Sequence, residues 1–302
     1  MTIKQFLIAC IFSILIFTSA RSQSHCFGKI TEDEWNMEKC SFDLAARAVI
    51  LFDEGIISVR TREGEVNIDP YCKLQPKFFR TVFERHRRVK ILHKEGIETG
   101  SLSVTIQSVD GKKVDLTHFK CISVHKENGK EIIQKFALKN LSDSVTNSGG
   151  LALTIMLPET QDGSIVDLSY TMEAGLTDKV PEWNFSDEFP TLYSQIKFNF
   201  PDFFQRQKKC SIDDKLIYEC FRKSEIFNVS YTSSTNGTLT YAYSFYMNNE
   251  EYSINNIPAL PKTEVPYKLH NQFPAFNFSS VPYKSYKVAS IKRGPTSLGF
   301  GR

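Results

Sequence analysis

The sequence predicts an all-β protein, built as a large antiparallel β-sandwich with at most one or two short helices. Three observations predict this fold class. From Leu151 to Pro201, apolar and polar residues alternate in three successive runs, as in half-buried strands. Turn residues recur about every ten positions along the chain, which is typical of sandwiches and barrels. Aromatic residues, which favour strands, make up 13% of the chain, with 24 Phe and 12 Tyr.

The first 22 residues form a predicted signal peptide. A lysine supplies positive charge, Phe6 to Thr18 is a short apolar run, and cleavage is expected after Ala20 or Ser22. The apolar run is shorter than a spanning helix requires, so an uncleaved membrane anchor is the weaker alternative. We therefore expect a periplasmic or secreted protein with no membrane span after cleavage.

The cysteines favour disulfide bonds, because an even number remains after cleavage of an exported chain. Cys210 and Cys220 flank a predicted turn at Asp213-Asp214, and strands folding about that turn would place them nearly opposite. Cys26 with Cys40 is a second, local candidate pair. The sequence leaves the full connectivity open. The disulfide candidates are Cys26, Cys40, Cys72, Cys121, Cys210 and Cys220.

The mature chain begins with a predicted short helix and a hairpin. Thr31 is the expected N-cap, because acidic residues follow it in the first turn. Residues 48–52 (AVILF) predict a buried strand, which Asp53-Glu54-Gly55 is expected to stop. Residues 56–60 then return as the hairpin partner.

Further strands follow, separated by turns. Lys94-Glu95-Gly96 is a predicted turn, and Asp110-Gly111 and Asn128-Gly129 mark tight hairpins. Trp183 and Phe185 lie in a connector and are expected to fold back onto the sandwich edge, because they are large and apolar. The predicted strands here are residues 89–92, 102–106, 119–125, 131–136, 151–157, 166–172 and 192–200.

The last third of the chain first continues the series of predicted strands and then becomes rich in proline. Asn236-Gly237 is the strongest hairpin signal in the sequence. Prolines after Asn255 allow only extended or edge segments. Residues 285–302 are basic and non-periodic, and we predict a flexible tail there. The β-sandwich domain is thus expected to span residues 23–284.

Five segments carry a resemblance to a known family, and they occur in that family's order. They are Ala45–Gly55 (AARAVILFDEG), Arg88–Gly96 (RVKILHKEG), Leu157–Tyr170 (LPETQDGSIVDLSY), Trp183–Pro190 (WNFSDEFP) and Ile254–Glu264 (INNIPALPKTE). Through them the chain resembles the bacterial "domain of unknown function 3857" family, which is commonly found ahead of a transglutaminase-like domain in exported proteins of Gram-negative bacteria. The resemblance implies an immunoglobulin-like or related β-sandwich of unusual size, and it implies no reaction for this domain.

The transglutaminase-like domain that usually follows in this family would supply a Cys–His–Asp triad. The chain ends at Arg302, where that domain would begin, and no Cys follows Cys220. We therefore expect the catalytic part to be absent from this chain.

Two patterns raise the question of a metal or reactive site. His118, Cys121 and His125 have a spacing that could hold zinc, but His118 does not share their strand face and a fourth ligand is not evident. Cys72 with a nearby histidine would be a nucleophile pair, but nothing marks an activating neighbour for its thiolate. We expect no catalytic residue, no cofactor and no metal.

A candidate binding surface combines a basic run with two aromatic residues. Arg85, Arg88 and Lys90 belong to the run RHRRVK, which could attract acidic glycans, lipid head groups or a partner protein. Trp183 and Phe185 would add aromatic rings. The simpler alternatives are that the basic run is the solvated outer face of a strand and that the rings belong to the core.

These observations predict an exported, non-catalytic β-sandwich that binds or scaffolds a protein or glycan at the bacterial cell envelope. The alternative is a truncated relative or accessory subunit of a transglutaminase-like cysteine peptidase system, whose partner would be a transglutaminase-like protein. The formal net charge of +3 is too small to predict a nucleic-acid partner.

Overall fold

The computed structural model describes most of the chain between residues 25 and 288. The described residues are 25–61, 79–94, 106–107, 115–137, 141–145, 151–155, 161–175, 183–210, 217–233, 237–260, 268–276 and 283–288. Within them the elements are α1 (Glu32–Trp35), β1 (Ala48–Thr61), β2 (Phe79–Ile91), β3 (Ile106–Gln107), β4 (Asp115–Glu127), β5 (Lys130–Phe136), β6 (Leu141–Val145), β7 (Leu151–Ile155), β8 (Ile165–Gly175), β9 (Trp183–Asn184), β10 (Thr191–Pro201), β11 (Phe204–Cys210), β12 (Ile217–Ser233), β13 (Gly237–Ile257), β14 (Lys268–Phe276) and β15 (Tyr283–Val288).

One large sheet organises the molecule. Its strand order is β12-β13-β10-β1-β2-β8-β4-β5, and β15 also pairs with β13. Neighbouring strands are antiparallel except β1 and β10, which are parallel, with Ile50 opposite Thr191 and Ser58 opposite Asn199. The prediction of a wholly antiparallel fold is therefore wrong at this pair. A parallel pair needs a long connection, and the chain from β2 to β9 provides it.

Two three-stranded sheets accompany the large sheet, in the orders β11-β14-β9 and β3-β7-β6. Buried aromatic rings join the first of them to β2 of the large sheet. The ring of Phe204 lies 5.7 Å from that of Phe79, and the ring of Trp183 lies 6.3 Å from that of Phe83. Trp183 and Phe185 are buried, as expected of large apolar side chains that fold back. The predicted place is wrong for Trp183, which packs against Gly55 of β1 and Phe83 of β2 in the middle of the large sheet rather than at its edge.

β1 runs without interruption through Asp53-Glu54-Gly55, where the sequence predicts a turn. The Asp53 carboxylate binds Arg85 of β2, and the Glu54 carboxylate lies 3.0 Å from His25 Nδ1. Gly55 lies beneath the ring of Trp183. The predicted hairpin is therefore wrong, because these residues serve side-chain packing across a continuous strand.

The N-terminal segment, defined here as residues 25–47, contains α1. Thr31 caps this helix as predicted: its Oγ1 accepts from the Glu34 N–H at 3.3 Å, and the Glu34 carboxylate accepts from the Thr31 N–H at 2.6 Å. The helix presents Trp35 to the large sheet, where the ring packs with Ile122 and Ile165. The capping box thus positions the residue that anchors the segment.

Two predicted hairpins are confirmed. β4 and β5 join through Asn128 and Gly129, which have positive φ angles of 51° and 76°, as a type I′ turn requires. β12 and β13 pair until Ser233 lies opposite Gly237. The hairpin predicted at Asp110-Gly111 lies outside the described residues.

The start of the predicted tail belongs to the large sheet. In β15, Ser285 lies opposite Tyr241 and Val288 lies opposite Thr238, so the tail prediction is wrong for these residues. The remainder of the tail and the predicted signal peptide lie outside the described residues.

Among the described residues, no helix has the length and the hydrophobicity that a membrane span requires. The prediction of a mostly β protein with almost no helix is confirmed, while the immunoglobulin-like arrangement stays a prediction.

Candidate functional site

The basic run on β2 divides between the two faces of the large sheet. Successive side chains of a strand point to opposite faces, so Arg85 and Arg87 lie on one face, and His86, Arg88 and Lys90 lie on the other. We call the first the aromatic face, because a tryptophan of β9 packs on it. The second is the N-terminal face, because the N-terminal segment packs on it. One strand thus supplies charge to two separate clusters.

On the aromatic face, Arg85 binds Asp53 through two hydrogen bonds. Nε donates to Oδ1 at 2.8 Å and Nη2 donates to Oδ2. The guanidinium carbon lies 5.0 Å from the centre of the Trp183 ring, in cation–π geometry. Burial alone would lower the pKa of Arg85, but the charge of Asp53 and hydrogen bonds to Asp53 and Tyr170 raise it. Arg85 is therefore a fixed cation held between a carboxylate and a ring.

Arg87 extends this cluster by joining two carboxylates. Its Nη2 donates to Asp187 Oδ2 at 2.8 Å, and its Nη1 lies 3.6 Å from Asp53 Oδ2. Burial alone would raise the pKa of Asp187, but Arg87, Arg85 and the backbone N–H of Glu188 lower it below its ordinary value. The result is a chain of alternating charges across β1, β2 and the loop after β9.

The lowered pKa of Asp187 predicts a loss of stability in acid. A carboxyl whose folded pKa lies below its unfolded pKa stabilises the protein above the unfolded value, and this contribution is lost as the pH falls through the folded value. We expect the free energy of unfolding to decline below the ordinary carboxyl pKa of 3.8. In the Asp187→Asn variant, urea unfolding followed from about pH 7 to about pH 2 should show a shallower decline. Equal slopes for the two proteins would contradict this assignment.

On the N-terminal face, Arg88 attaches the N-terminal segment to the sheet. Its Nη1 donates to the Lys29 carbonyl oxygen at 2.9 Å and to Glu34 Oε1 at 2.8 Å. Its Nη2 donates to the Cys26 carbonyl oxygen at 3.0 Å and to Asp167 Oδ2 at 2.7 Å. One planar guanidinium therefore binds groups that precede α1, a side chain of α1 and a side chain of β8.

Asp167 is the acidic centre of the same cluster. It is fully buried, accepts from the Gly28 N–H at 2.7 Å as well as from Arg88, and its Oδ1 lies 2.7 Å from His86 Nε2. Burial alone would raise the pKa of Asp167, but the hydrogen bonds from His86, Arg88 and Gly28 and the charge of Arg88 lower it. The carboxylate therefore stays ionised in the interior.

Two histidine rings pack against Phe52 beside this cluster. The ring of His25 stacks on it at a centroid distance of 3.8 Å, and the ring of His86 meets it edge-on at 4.8 Å. In many catalytic sites a carboxylate orients a histidine, which then acts as general base toward a nucleophile. In the described residues, however, His86 contacts Asp167 and aromatic rings rather than a hydroxyl or thiol nucleophile. The arrangement fixes an imidazole without placing a nucleophile beside it.

Lys90 provides a second attachment for α1. Its Nζ donates to the carbonyl oxygens of Trp35 and Gly163, both at 3.0 Å, and lies 5.4 Å from the Trp35 ring centre. Burial and the nearby charge of Lys126 lower the pKa of Lys90, although Glu34 opposes them. Arg88 and Lys90 thus bind consecutive residues of the helix.

The candidate binding surface is buried, which corrects the expectation of an exposed basic and aromatic patch. Arg88 is 1% exposed, Lys90, Trp183 and Phe185 are each 2% exposed, and the Arg85 side chain is 17% exposed. The physical reason is that each cation faces a carboxylate or carbonyl of its own chain. The alternative of a solvated outer face is wrong for the same reason, whereas the alternative that the two rings belong to the core is confirmed.

The hairpin predicted to bring Cys210 to Cys220 does not form. In the described residues β11 pairs with β14, which places Cys210 opposite Leu269, whereas β12 pairs with β13. Cys220 is an exposed free thiol. Cys72 lies outside the described residues, so a disulfide at that position stays a prediction.

Cys40 and Cys121 are buried free thiols. Cys40 packs in an apolar cluster beside β1 rather than bridging to Cys26. Burial raises the pKa of Cys121 to about 12, and the negative charge of Asp167 adds to this, so the thiol is protonated at neutral pH. Among the residues that the structure describes, no three His, Cys, Asp or Glu side chains are grouped to hold a metal, those of the His118–His125 spacing included.

Comparisons with known proteins find a matching family model and a similar solved structure. Residues 79–215 match the family model described as "Domain of Unknown Function with solved-structure structure (DUF3857)". No curated protein matches the chain. A crystal structure of a candidate protease from Parabacteroides distasonis aligns with a TM-score of 0.44 and 10% sequence identity, over 76% of this chain and 41% of that one. The chain thus spans about two fifths of that protein's length.

Proposed function

We propose, on the premise that this chain belongs to the DUF3857 family through residues 79–215, that it is an exported, non-catalytic β-domain that binds a partner protein or glycan at the bacterial cell envelope. The family description names no reaction. Export is supported by the signal-peptide pattern of the first 22 residues. The binding role is supported by large apolar side chains that are exposed on β12 of the large sheet.

One observation carries the non-catalytic proposal: the charged groups at the centre of the molecule are paired with each other. Arg85, Arg87 and Arg88 each bind a carboxylate at 2.8 Å or less, and the pKa of Asp167 is lowered by its partners. General acid–base catalysis favours a group whose pKa lies near the working pH, within reach of a substrate. Groups that are paired and buried instead hold the N-terminal segment and the loop after β9 on the sheet.

We also propose the immunoglobulin-like sandwich as the finer description of the fold. The aromatic contacts of Phe204 with Phe79 and of Trp183 with Phe83 support it, because they lie between the β11-β14-β9 sheet and the large sheet. Interdigitated side chains between two sheets form the core of such sandwiches.

The binding surface that we propose lies on β12, at one end of the described strand order. Ile217 and Phe221 are 52% and 60% exposed, and their spacing of four places them on the same strand face. Glu219, between them, is also exposed. Large apolar side chains that remain exposed near a sheet edge mark surfaces that take up a partner.

The Phe221→Ser variant should lose its partner. Full-length protein with an affinity tag would be incubated with envelope extract, and the bound material would be identified by mass spectrometry. We expect about tenfold lower recovery of the partner than with the unsubstituted protein, because an aromatic anchor buried in an interface typically contributes about 1–2 kcal/mol or more. Glu219→Ser is the matched control, since it changes an exposed residue of the same strand face without removing apolar surface.

The outcomes separate the alternatives. Equal recovery by the two variants would contradict the β12 surface. Recovery of a transglutaminase-like protein would favour the accessory-subunit alternative over binding of a glycan or an unrelated protein. Peptidase or amidase activity of the purified chain would contradict the non-catalytic proposal.

A further inference from the structure

β5 is an exposed strand at the opposite end of the large sheet from β12. It pairs with β4 through the Asn128-Gly129 turn, and β4 is its only neighbour in the described strand order. The strand is exposed from Lys130 to Lys135, on both of its faces, and only Phe136 is buried. Its outer edge therefore presents backbone N–H and C=O groups that a further strand could pair with.

Two apolar side chains stand on this strand, one on each face. Ile132 is 42% exposed and Ile133 is 52% exposed. Edge strands usually carry lysines or prolines that keep other strands away. β5 carries Lys130 and Lys135, but Glu131 accompanies them, so the strand does not present a single sign of charge.

The sequence of β5 is complementary to itself in one antiparallel register. A two-fold axis perpendicular to the sheet and through Ile133 pairs every residue of β5 with one of a second copy. In that register Glu131 lies opposite Lys135 of the second copy, Lys135 lies opposite its Glu131, and Ile133 lies opposite Ile133. Opposite charges and apolar pairs directly across an antiparallel ladder both stabilise it.

We propose that β5 is a homodimerisation edge, through which two copies of this chain join their large sheets into one continuous antiparallel sheet. The occupant is a second copy rather than a foreign strand because the charges match in both directions under the two-fold axis, as an isologous interface requires. The contact is one strand wide, so the dimer is weak and forms at micromolar concentrations.

Charge reversal tests the register directly. In Glu131→Lys chains, two lysines would face each other at both charge pairs of the contact, and in Lys135→Glu chains, two glutamates would do so. Sedimentation velocity of the full-length protein from about 1 to about 200 μM should show the unsubstituted chain dimerising and each variant dimerising about tenfold more weakly. A mixture of the two variants should form heterodimers, because a lysine of one chain then faces a glutamate of the other at both charge pairs of the contact. Glu219→Lys, on the exposed part of β12, is the control and should dimerise as the unsubstituted chain does.

The results decide the proposal in either direction. Recovery of dimers in the Glu131→Lys/Lys135→Glu double variant, in which each charge again faces its opposite, would support the two-fold β5 contact. A chain that stays monomeric at the highest concentration would overturn it. A dimer that neither charge reversal weakens would also overturn it, since the contact would then lie elsewhere. Both positions are exposed, and circular dichroism of each variant would verify that the β fold is retained.

Discussion

The Arg88→Met variant is expected to lose about 3–5 kcal/mol of unfolding free energy, because breaking a buried ion pair leaves its partner charge uncompensated. Methionine keeps much of the side-chain volume but removes the hydrogen bonds that the Arg88 guanidinium donates to Asp167 and Glu34. The carbonyl oxygens of Cys26 and Lys29 lose their donor as well. Urea unfolding at neutral pH would measure the loss. Limited proteolysis would show the N-terminal segment cleaved before the sheet.

Arg60→Met is the matched control. Arg60 of β1 donates to Glu84 of β2 at 2.8 Å, and the two side chains are 44% and 35% exposed. An exposed pair of this kind contributes about 0–1 kcal/mol. Similar losses in the two variants would show that burial does not decide the strength of the Arg88 contacts. Partial recovery in the Arg88→Met/Asp167→Leu double variant would show that the isolated carboxylate causes the loss.

The Gly55→Ala variant is expected to lose about 2–3 kcal/mol, at the upper end of the usual cost of overpacking. A Cβ at this position would overlap the Trp183 ring and lie 2.7 Å from Ile196 Cδ1. Neither neighbour can yield easily, since Trp183 is buried between Arg85 and the sheet and its Nε1 donates to Ser194 at 3.2 Å. Thermal and urea unfolding would measure the loss.

A second substitution tests whether the indole ring causes that loss. Trp183→Leu alone should be strongly destabilising, because it removes a buried ring. Adding Gly55→Ala to it should then cost much less than in the unsubstituted background, with a coupling energy above about 1 kcal/mol. If the losses of unfolding free energy are additive, the close approach of the Trp183 ring is not the reason why position 55 requires glycine.

Local chemistry explains which elements the sequence predicts. Asn128-Gly129 specifies its hairpin because the two residues accept the positive φ angles that the turn needs. Thr31 specifies a helix start because its hydroxyl and the Glu34 carboxylate satisfy backbone N–H groups within four residues. The structure of Asp53-Glu54-Gly55 cannot be decided from its neighbours in the sequence. The same three residue types form turns, yet they also suit a strand whose carboxylates meet distant cations and whose glycine admits a ring.

The charged clusters could not be predicted, because their geometry depends on strand register and on distant segments. Alternation on β2 assigns Arg85 and Arg88 to opposite faces, but it does not say what covers either face. Arg88 is covered by residues more than 50 positions earlier, and Asp187 reaches Arg87 from 100 positions later. The one sequence feature that could have indicated a buried charged cluster is an aspartate in the middle of a predicted strand, as at Asp167. Its partner could be identified only if the neighbouring strand were known.

The sharing of Glu34 between the α1 capping box and Arg88 has a consequence for the order of folding. A helix of four residues is too short to persist alone. Its attachment needs Arg88 from β2 and Asp167 from β8, and Asp167 is synthesised 79 residues after Arg88. Contacts this distant in sequence form late. The N-terminal segment is therefore made before the sheet but acquires its structure after it, and in pulse-labelling hydrogen exchange the amide of Gly28 should become protected after those of β2 and β8.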